Sequence, residues 1–317
     1  MRYFITVAFL LFTTVYALAV PVHSPAFLIK TPHFRFRFNA DGRGIARNLS
    51  RNAESDRTYV LHFLGIKAPQ KITVIIAATQ REMSEATGNT GRVEKWIAGM
   101  AIPGRNLVII STRGNEVFSA RETFLHELGH IYLHIAVNNR PLPRWFDEGF
   151  AMYVSGEPVL NRLKTLLPAA AMDNLFKLSD LTWHFPAQGP AVQMAYAQSM
   201  MFVRHLFNIY GKLPVLALVD NLSKGLLFEA AFRRAFGVDL VFVEKEFRKN
   251  LTSESYLLIV LTGSGVIWLV IAMILIWVYI NKRRQDTEML NKWQEEDENL
   301  LASYLAKLSD KEDPPQA

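Results

Sequence analysis

Hydrophobic and polar positions alternate strictly in His33-Phe-Arg-Phe-Arg-Phe38, the period-two pattern of a strand with one buried face. Ile72-Thr-Val-Ile-Ile-Ala77 and Asn106-Leu-Val-Ile-Ile-Ser111 are short, nearly continuous apolar runs of the kind that fill buried strands. A further short strand is expected from Ile97 to Ile102. The second half changes to a helical period. Ser119-Ala-Arg-Glu122 forms a capping box that opens a helix. Gly211 and Gly237 each follow an amphipathic run as expected C-caps, dividing residues 190–251 into several helices. No internal repeat, low-complexity tract or glycine-rich phosphate loop interrupts this order. The pattern predicts an α+β domain, strand-rich first and helical afterwards.

Two apolar stretches flank that domain. Arg2 precedes a run from Tyr3 to Val20 ending in Ala17-Leu-Ala19, which predicts a signal peptide over residues 1–19, with an uncleaved anchor as the alternative. From Tyr256 to Ile280 a second run carries no charge and is followed at once by Lys282-Arg283-Arg284. That is the pattern of a transmembrane helix with its basic end in the cytoplasm, and Tyr256, Trp277 and Tyr279 suit the interfaces. The expected order is therefore an extracytoplasmic domain over 20–255, a span over 256–280 and a cytoplasmic, acidic tail over 281–317. In the tail, Met289, Leu290, Trp293, Leu300, Leu301, Tyr304, Leu305 and Leu308 recur at helical spacing. They predict an amphipathic helix that either seeks a cytoplasmic partner or is surface decoration.

Composition narrows the chemistry. The 317 residues suffice for one sizeable domain plus membrane and tail segments. A hydrophobic share of 50% agrees with part of the apolar content belonging to a bilayer. The formal charge of +6 is spread without a basic stripe, so no nucleic-acid partner is expected. The chain has no cysteine, which excludes disulfides and thiolate-bound metal and fits an extracytoplasmic bacterial protein. Asn48, Asn221 and Asn250 open glycosylation sequons, tripeptides that are common by chance.

The helix opened at Ser119 runs into His126-Glu127-Leu-Gly-His130. Two histidines four apart share one helical face with Cβ atoms about 5 to 6 Å apart, so both imidazoles reach one metal. Glu127 then lies within reach of a metal-bound water. A catalytic zinc needs a third protein ligand, and Glu148 in Pro143-Arg-Trp-Phe-Asp-Glu148-Gly-Phe-Ala151 is placed for a second helix to supply it. His134 lies two turns, about 12 Å, from His126, too far to share its ion. Ordinary helix-packing roles are expected for His134, His184 and His205.

These two motifs, with Tyr196-Ala-Gln-Ser199 and the strand-rich section before the first helix, resemble the gluzincins of the peptidase MA superfamily. The likeness is nearest to small membrane-associated bacterial peptidase MA-like domains, and it spans about residues 33–251. The resemblance implies one zinc ion held by His126, His130 and Glu148, Glu127 as general base, and Tyr196 at the start of a helix facing the cleft, donating to a developing oxyanion. It implies a peptide or protein substrate. Two positions depart from the pattern. Ala98-Gly-Met-Ala101 lacks the glutamate with which gluzincin aminopeptidases hold a substrate's amino terminus, so an endopeptidase is the firmer expectation. Met152 replaces the aspartate that thermolysin-like members use to orient a ligand histidine, so another acceptor must do so. The competing expectation is a membrane-anchored binding or assembly protein with a structural zinc site and no turnover.

Overall fold

The computed structural model describes residues 27–88, 97–113, 119–262 and 264–309; the side chains of 253–267 and several beyond 285 lie outside that description. The expected signal peptide lies outside the described residues altogether. The chain divides into two compact units, Met1–Leu251 and Thr252–Ala317.

In the first unit a five-stranded sheet forms the scaffold. Strand β1 (Phe27–Lys30) pairs antiparallel with β2 (Phe34–Phe38), whose alternation buries Phe34, Phe36 and Phe38 and exposes Arg35 and Arg37. Helix α1 (Arg43–Leu64) then leads to β3 (Ile72–Ala77), which lies parallel to β2. Helix α2 (Gln80–Thr87) precedes β4 (Gly99–Ile102), and β5 (Leu107–Ser111) runs parallel to β3 and antiparallel to β4. The order is β1-β2-β3-β5-β4, so β4 is an edge strand. β5 is buried along its whole length, as its unbroken apolar sequence requires.

The helical part is built on α3 (Ala120–Ala136), which packs against β4, β5 and α1. Helix α4 (Arg144–Ser155) packs between α3 and α6 (Pro190–His205), with α5 (Val159–Ala171) beside α6. The close approach is set by two glycines. A Cβ at Gly129 of α3 would come within 2.9 Å of the Ala151 Cα in α4. One at Gly149 of α4 would collide with the Ser199 carbonyl of α6. Around this crossing Trp145 meets Phe146, Phe202 and Phe228 in edge-to-face contacts, with Trp145, Phe146, Phe150 and Phe202 fully buried.

Helices α7 (Lys212–Ser223) and α8 (Phe228–Phe236) complete the packing, followed by α9 (Leu240–Thr262). Gly237, at φ 73°, caps α8 as expected. Gly211, at φ 79°, separates a one-turn π-helix over Leu206–Tyr210 from α7. Of the sequons, Asn221 is buried and so closed to a glycan.

The second unit contains α10 (Ser264–Ser309), one unbroken helix. Trp268 to Ile280 present exposed apolar side chains along it. Among the described residues, no helix is long and apolar enough to cross a membrane, so the transmembrane helix expected over 256–280 is not found there. Of the expected segment, the described side chains cover Trp268 to Ile280. The rest of the expected segment falls on 253–267, outside the described side chains.

Candidate metal centre

The site is built from α3 upward. Ser119 Oγ accepts from the Glu122 backbone N–H at 3.2 Å, and the Glu122 carboxylate accepts from the Ser119 N–H at 2.7 Å. This closes the predicted capping box and fixes the helix register. One turn further on, the Nε2 atoms of His126 and His130 lie 3.3 Å apart. The α3–α4 crossing brings Glu148 Oε2 to 3.8 Å from His126 Nε2 and 3.7 Å from His130 Nε2. Ligand atoms of a tetrahedral zinc site with bonds of about 2.0 to 2.1 Å stand about 3.4 Å apart, so the three converge at nearly the separation one ion requires. Among the described residues these three form the group able to hold a metal.

Asp147, the residue before Glu148, completes the surroundings. One carboxylate oxygen lies 2.8 Å from His130 Nδ1 and the other 3.2 Å from His134 Nε2. With its proton on Nδ1, His130 donates to Asp147 and turns the lone pair of Nε2 toward the metal position. This is the acceptor that Met152 cannot provide. It also corrects the expectation for His134, which does not pack as an ordinary core histidine but lines the cleft and shares Asp147 with His130. His184 is likewise no packing residue, since it lies exposed in the loop before α6. His205 does pack as expected, against Phe202, Phe247 and Tyr210.

The electrostatics follow from burying opposite charges together. Burial and the neighbouring charge of His130 push His126 down to about 3, keeping its imidazole neutral. His130 is buried as well, yet Asp147 and Glu148 outweigh that effect and raise it to about 10. Asp147 is also buried, but the two histidines hold its carboxyl well below the usual range. Burial raises Glu148. A divalent cation among these groups would replace a proton as the compensating charge.

Glu127 is buried on the same helix, with its carboxylate in the cleft and a backbone hydrogen bond from Ala101 of β4. Burial, reinforced by Glu148 and Asp147, raises it to about 7. β4 can approach this closely because residue 99 is glycine. A Cβ there would lie 2.7 Å from Glu127 Oε1. Tyr196 sits at the end of the second turn of α6 rather than at its start, and faces the cleft. Its ring meets Phe185 edge-on at 5.1 Å, and burial, reinforced by Glu148, raises its phenol. The Arg144 guanidinium lies 4.7 Å from the Phe185 ring centroid and 3.7 Å from Glu148 Oε1.

The cleft has a volume of about 650 Å³ and is lined by residues of α3, α4 and β4 and of the N-terminal turns of α5 and α6. It thus gathers Glu127, Tyr196, His126, His130 and Glu148. Asp147, Arg144 and the pair Glu157 and Arg162 join them there without having been singled out in the sequence. Arg144 lies one turn before Glu148 on α4 and Asp147 is its neighbour, whereas Glu157 and Arg162 lie beyond Gly156 and carry no spacing signal relative to it.

An edge strand beside two crossed helices, with paired imidazoles and a carboxylate at the crossing, makes this an α+β domain with a group able to hold a metal ion. The chain belongs to the Peptidase MA superfamily, whose family model matches residues 58–253, a span that includes every residue of the cleft. No curated protein matches the chain significantly.

Proposed function

We propose that this protein is a zinc-dependent metallopeptidase that cleaves within polypeptide chains, anchored in a cell membrane with its catalytic domain outside the cytoplasm. The observation that carries this reading is the convergence of His126, His130 and Glu148 around one point, with Glu127 beside it in an open cleft. A zinc ion bound there would lower the pKa of its water toward about 7 and polarise a scissile carbonyl. Glu127 takes the proton of the attacking water at its carboxylate and delivers it to the leaving amine nitrogen. Tyr196 donates its phenol hydrogen bond to the developing oxyanion, a role supported by its place in the cleft. The free edge of β4 aligns an extended substrate by backbone pairing.

Internal cleavage is favoured over aminopeptidase action because β4 offers Gly99, Met100, Ala101 and Ile102, and no carboxylate to hold a substrate amine. Membrane anchoring is supported by the uncharged run from Tyr256 to Ile280 and the basic residues after it. A cytoplasmic tail over 281–317, available to a partner, follows from the same topology.

The test separates two glutamates. Glu148→Ala should lose zinc and thermal stability together, because binding to the folded state is linked to folding. Glu127→Gln should keep near-stoichiometric zinc and an unchanged thermal midpoint while peptide hydrolysis falls by at least about 100-fold. Metal content by mass spectrometry and turnover of a peptide cleaved by the wild type provide the readouts. Wild-type turnover in Glu127→Gln would refute the mechanism. Stoichiometric zinc in a wild type that turns over no peptide would favour a structural metal site.

A further inference from the structure

Across the cleft from β4, the start of α5 carries a charged pair with no part in holding the metal. Glu157 is buried just before α5, and Arg162 donates to its carboxylate through Nη2. Through Nη1 the same guanidinium donates to Gln193 Oε1 of α6 at 3.1 Å. All three residues line the cleft. The charge of Arg162 acts on both His126 and Tyr196, which places it close to the reacting centre. Its side chain is 14% exposed, so a partner can reach it only from within the cleft.

A guanidinium has five N–H donors in a planar fork, and these two bonds leave others free. Glu157 and Gln193 hold the fork in place, so little side-chain freedom remains to be lost on binding. Arg144, another arginine of the cleft, lies 3.7 Å from Glu148 Oε1 and 4.7 Å from the Phe185 ring centroid, and its side chain is 43% exposed. Glu122, the other carboxylate near Glu157, is engaged in the helix cap. Among the described residues Arg162 is thus a fixed donor within the cleft, and its planar fork matches a carboxylate in bidentate contact.

We propose that Arg162 determines specificity by binding a carboxylate of the substrate, supplied either by an acidic side chain beside the scissile bond or by a free C-terminus. This deepens the peptidase reading and rests on it. The prediction is a preference for acidic substrates, which the fold alone does not dictate.

The experiment uses the zinc-loaded full chain and peptide pairs that differ only in Glu against Gln beside the scissile bond, each with a free and an amidated C-terminus. Wild type should show a kcat/KM ratio of about tenfold or more in favour of the peptide carrying the carboxylate. The double variant Glu157→Gln with Arg162→Met leaves no buried charge unpaired and should bring that ratio close to one. Arg162→Lys keeps the charge without the fork and should retain part of the preference. Faster cleavage of the free than of the amidated peptide, whichever residue flanks the bond, identifies the C-terminal carboxylate, and a Glu-over-Gln preference that survives amidation identifies the acidic side chain. Wild-type ratios near one both for Glu against Gln and for free against amidated C-terminus, or an unchanged ratio in the double variant with zinc still bound, would overturn the proposal. If no peptide is cleaved at all, the peptidase reading is what fails. Calorimetric binding of the same peptides to zinc-loaded Glu127→Gln then decides the role of Arg162, and equal affinity for acidic and neutral members refutes it.

Discussion

A methyl group added at Gly99 would sit 2.7 Å from Oε1 of Glu127 and 2.6 Å from Cγ2 of Thr123, neither of which has room to yield without turning. Gly99→Ala is therefore expected to displace the carboxylate of the general base while leaving the three metal ligands where they are. Zinc content should stay stoichiometric while kcat falls by about 100-fold, the scale of a 1 Å misplacement at a reacting centre. Asp147→Asn gives the opposite signature. It removes the charged acceptor from His130, so zinc affinity should fall about 10- to 100-fold in a competition titration with a chelator. An unchanged affinity would show that Asp147 does not orient the ligand. At this scale the sequence was legible where function follows from spacing along one helix and, for Glu148, from a second motif on the next helix. His126, Glu127 and His130 share a helical face, so their convergence could be read from the residues themselves. Asp147 acts across the α3–α4 crossing, and the small residues that permit that crossing, Gly129 and Gly149, do not announce which helix they face.

Among the elements, the turn between β1 and β2 is tied to α1 by one side chain. Glu54 accepts from Thr31 Oγ1 at 2.6 Å and from the His33 backbone N–H at 2.9 Å, and its second oxygen lies 2.8 Å from His33 Nδ1. Partial burial by itself would raise its carboxyl, yet these hydrogen bonds and the His33 ring lower it from the ordinary 4.5. A carboxyl depressed in the folded state contributes stability above its unfolded value, and that contribution is lost as pH falls through the folded value. Glu54→Gln should thus cost about 1 kcal/mol at neutral pH. The deficit should shrink as pH drops below 4.5, as read by denaturant midpoints over a pH series. A deficit that stays constant through that range would remove the charge from the explanation. Strand β1 itself was not visible in the sequence, because Phe27–Lys30 is short and mostly exposed and owes its extended form to pairing with β2. β3 was legible to the residue, since Ile72–Ala77 is buried enough for its composition to decide the matter alone.

For the whole molecule, the proposed topology has a direct consequence for accessibility. Protease added to intact spheroplasts should digest the region before Tyr256 and spare an epitope after Pro314, because Lys282 to Arg284 hold the C-terminal side within the cytoplasm. Loss of the C-terminal epitope while the membrane remains sealed would reverse the orientation. The described sheet and helices begin ahead of the family-matched span, which starts at residue 58 within α1. β1, β2 and most of α1 are thus carried by this chain beyond the part its superfamily model covers. β2 nevertheless pairs with β3 along its whole length.

The three metal ligands lie within residues 126–148, on two helices joined by a short connection. Closing so short a loop costs little chain entropy, and its cost grows only slowly with length. During vectorial synthesis this hairpin emerges before α6, the helix that receives Gly149 and carries Tyr196. The order of emergence thus lets a nascent chain gather its metal ligands before the catalytic phenol has been made. A chain cut short between α4 and α6 would lack both Tyr196 and the helix against which α4 packs, so the cleft is completed only after its metal-binding helices have emerged.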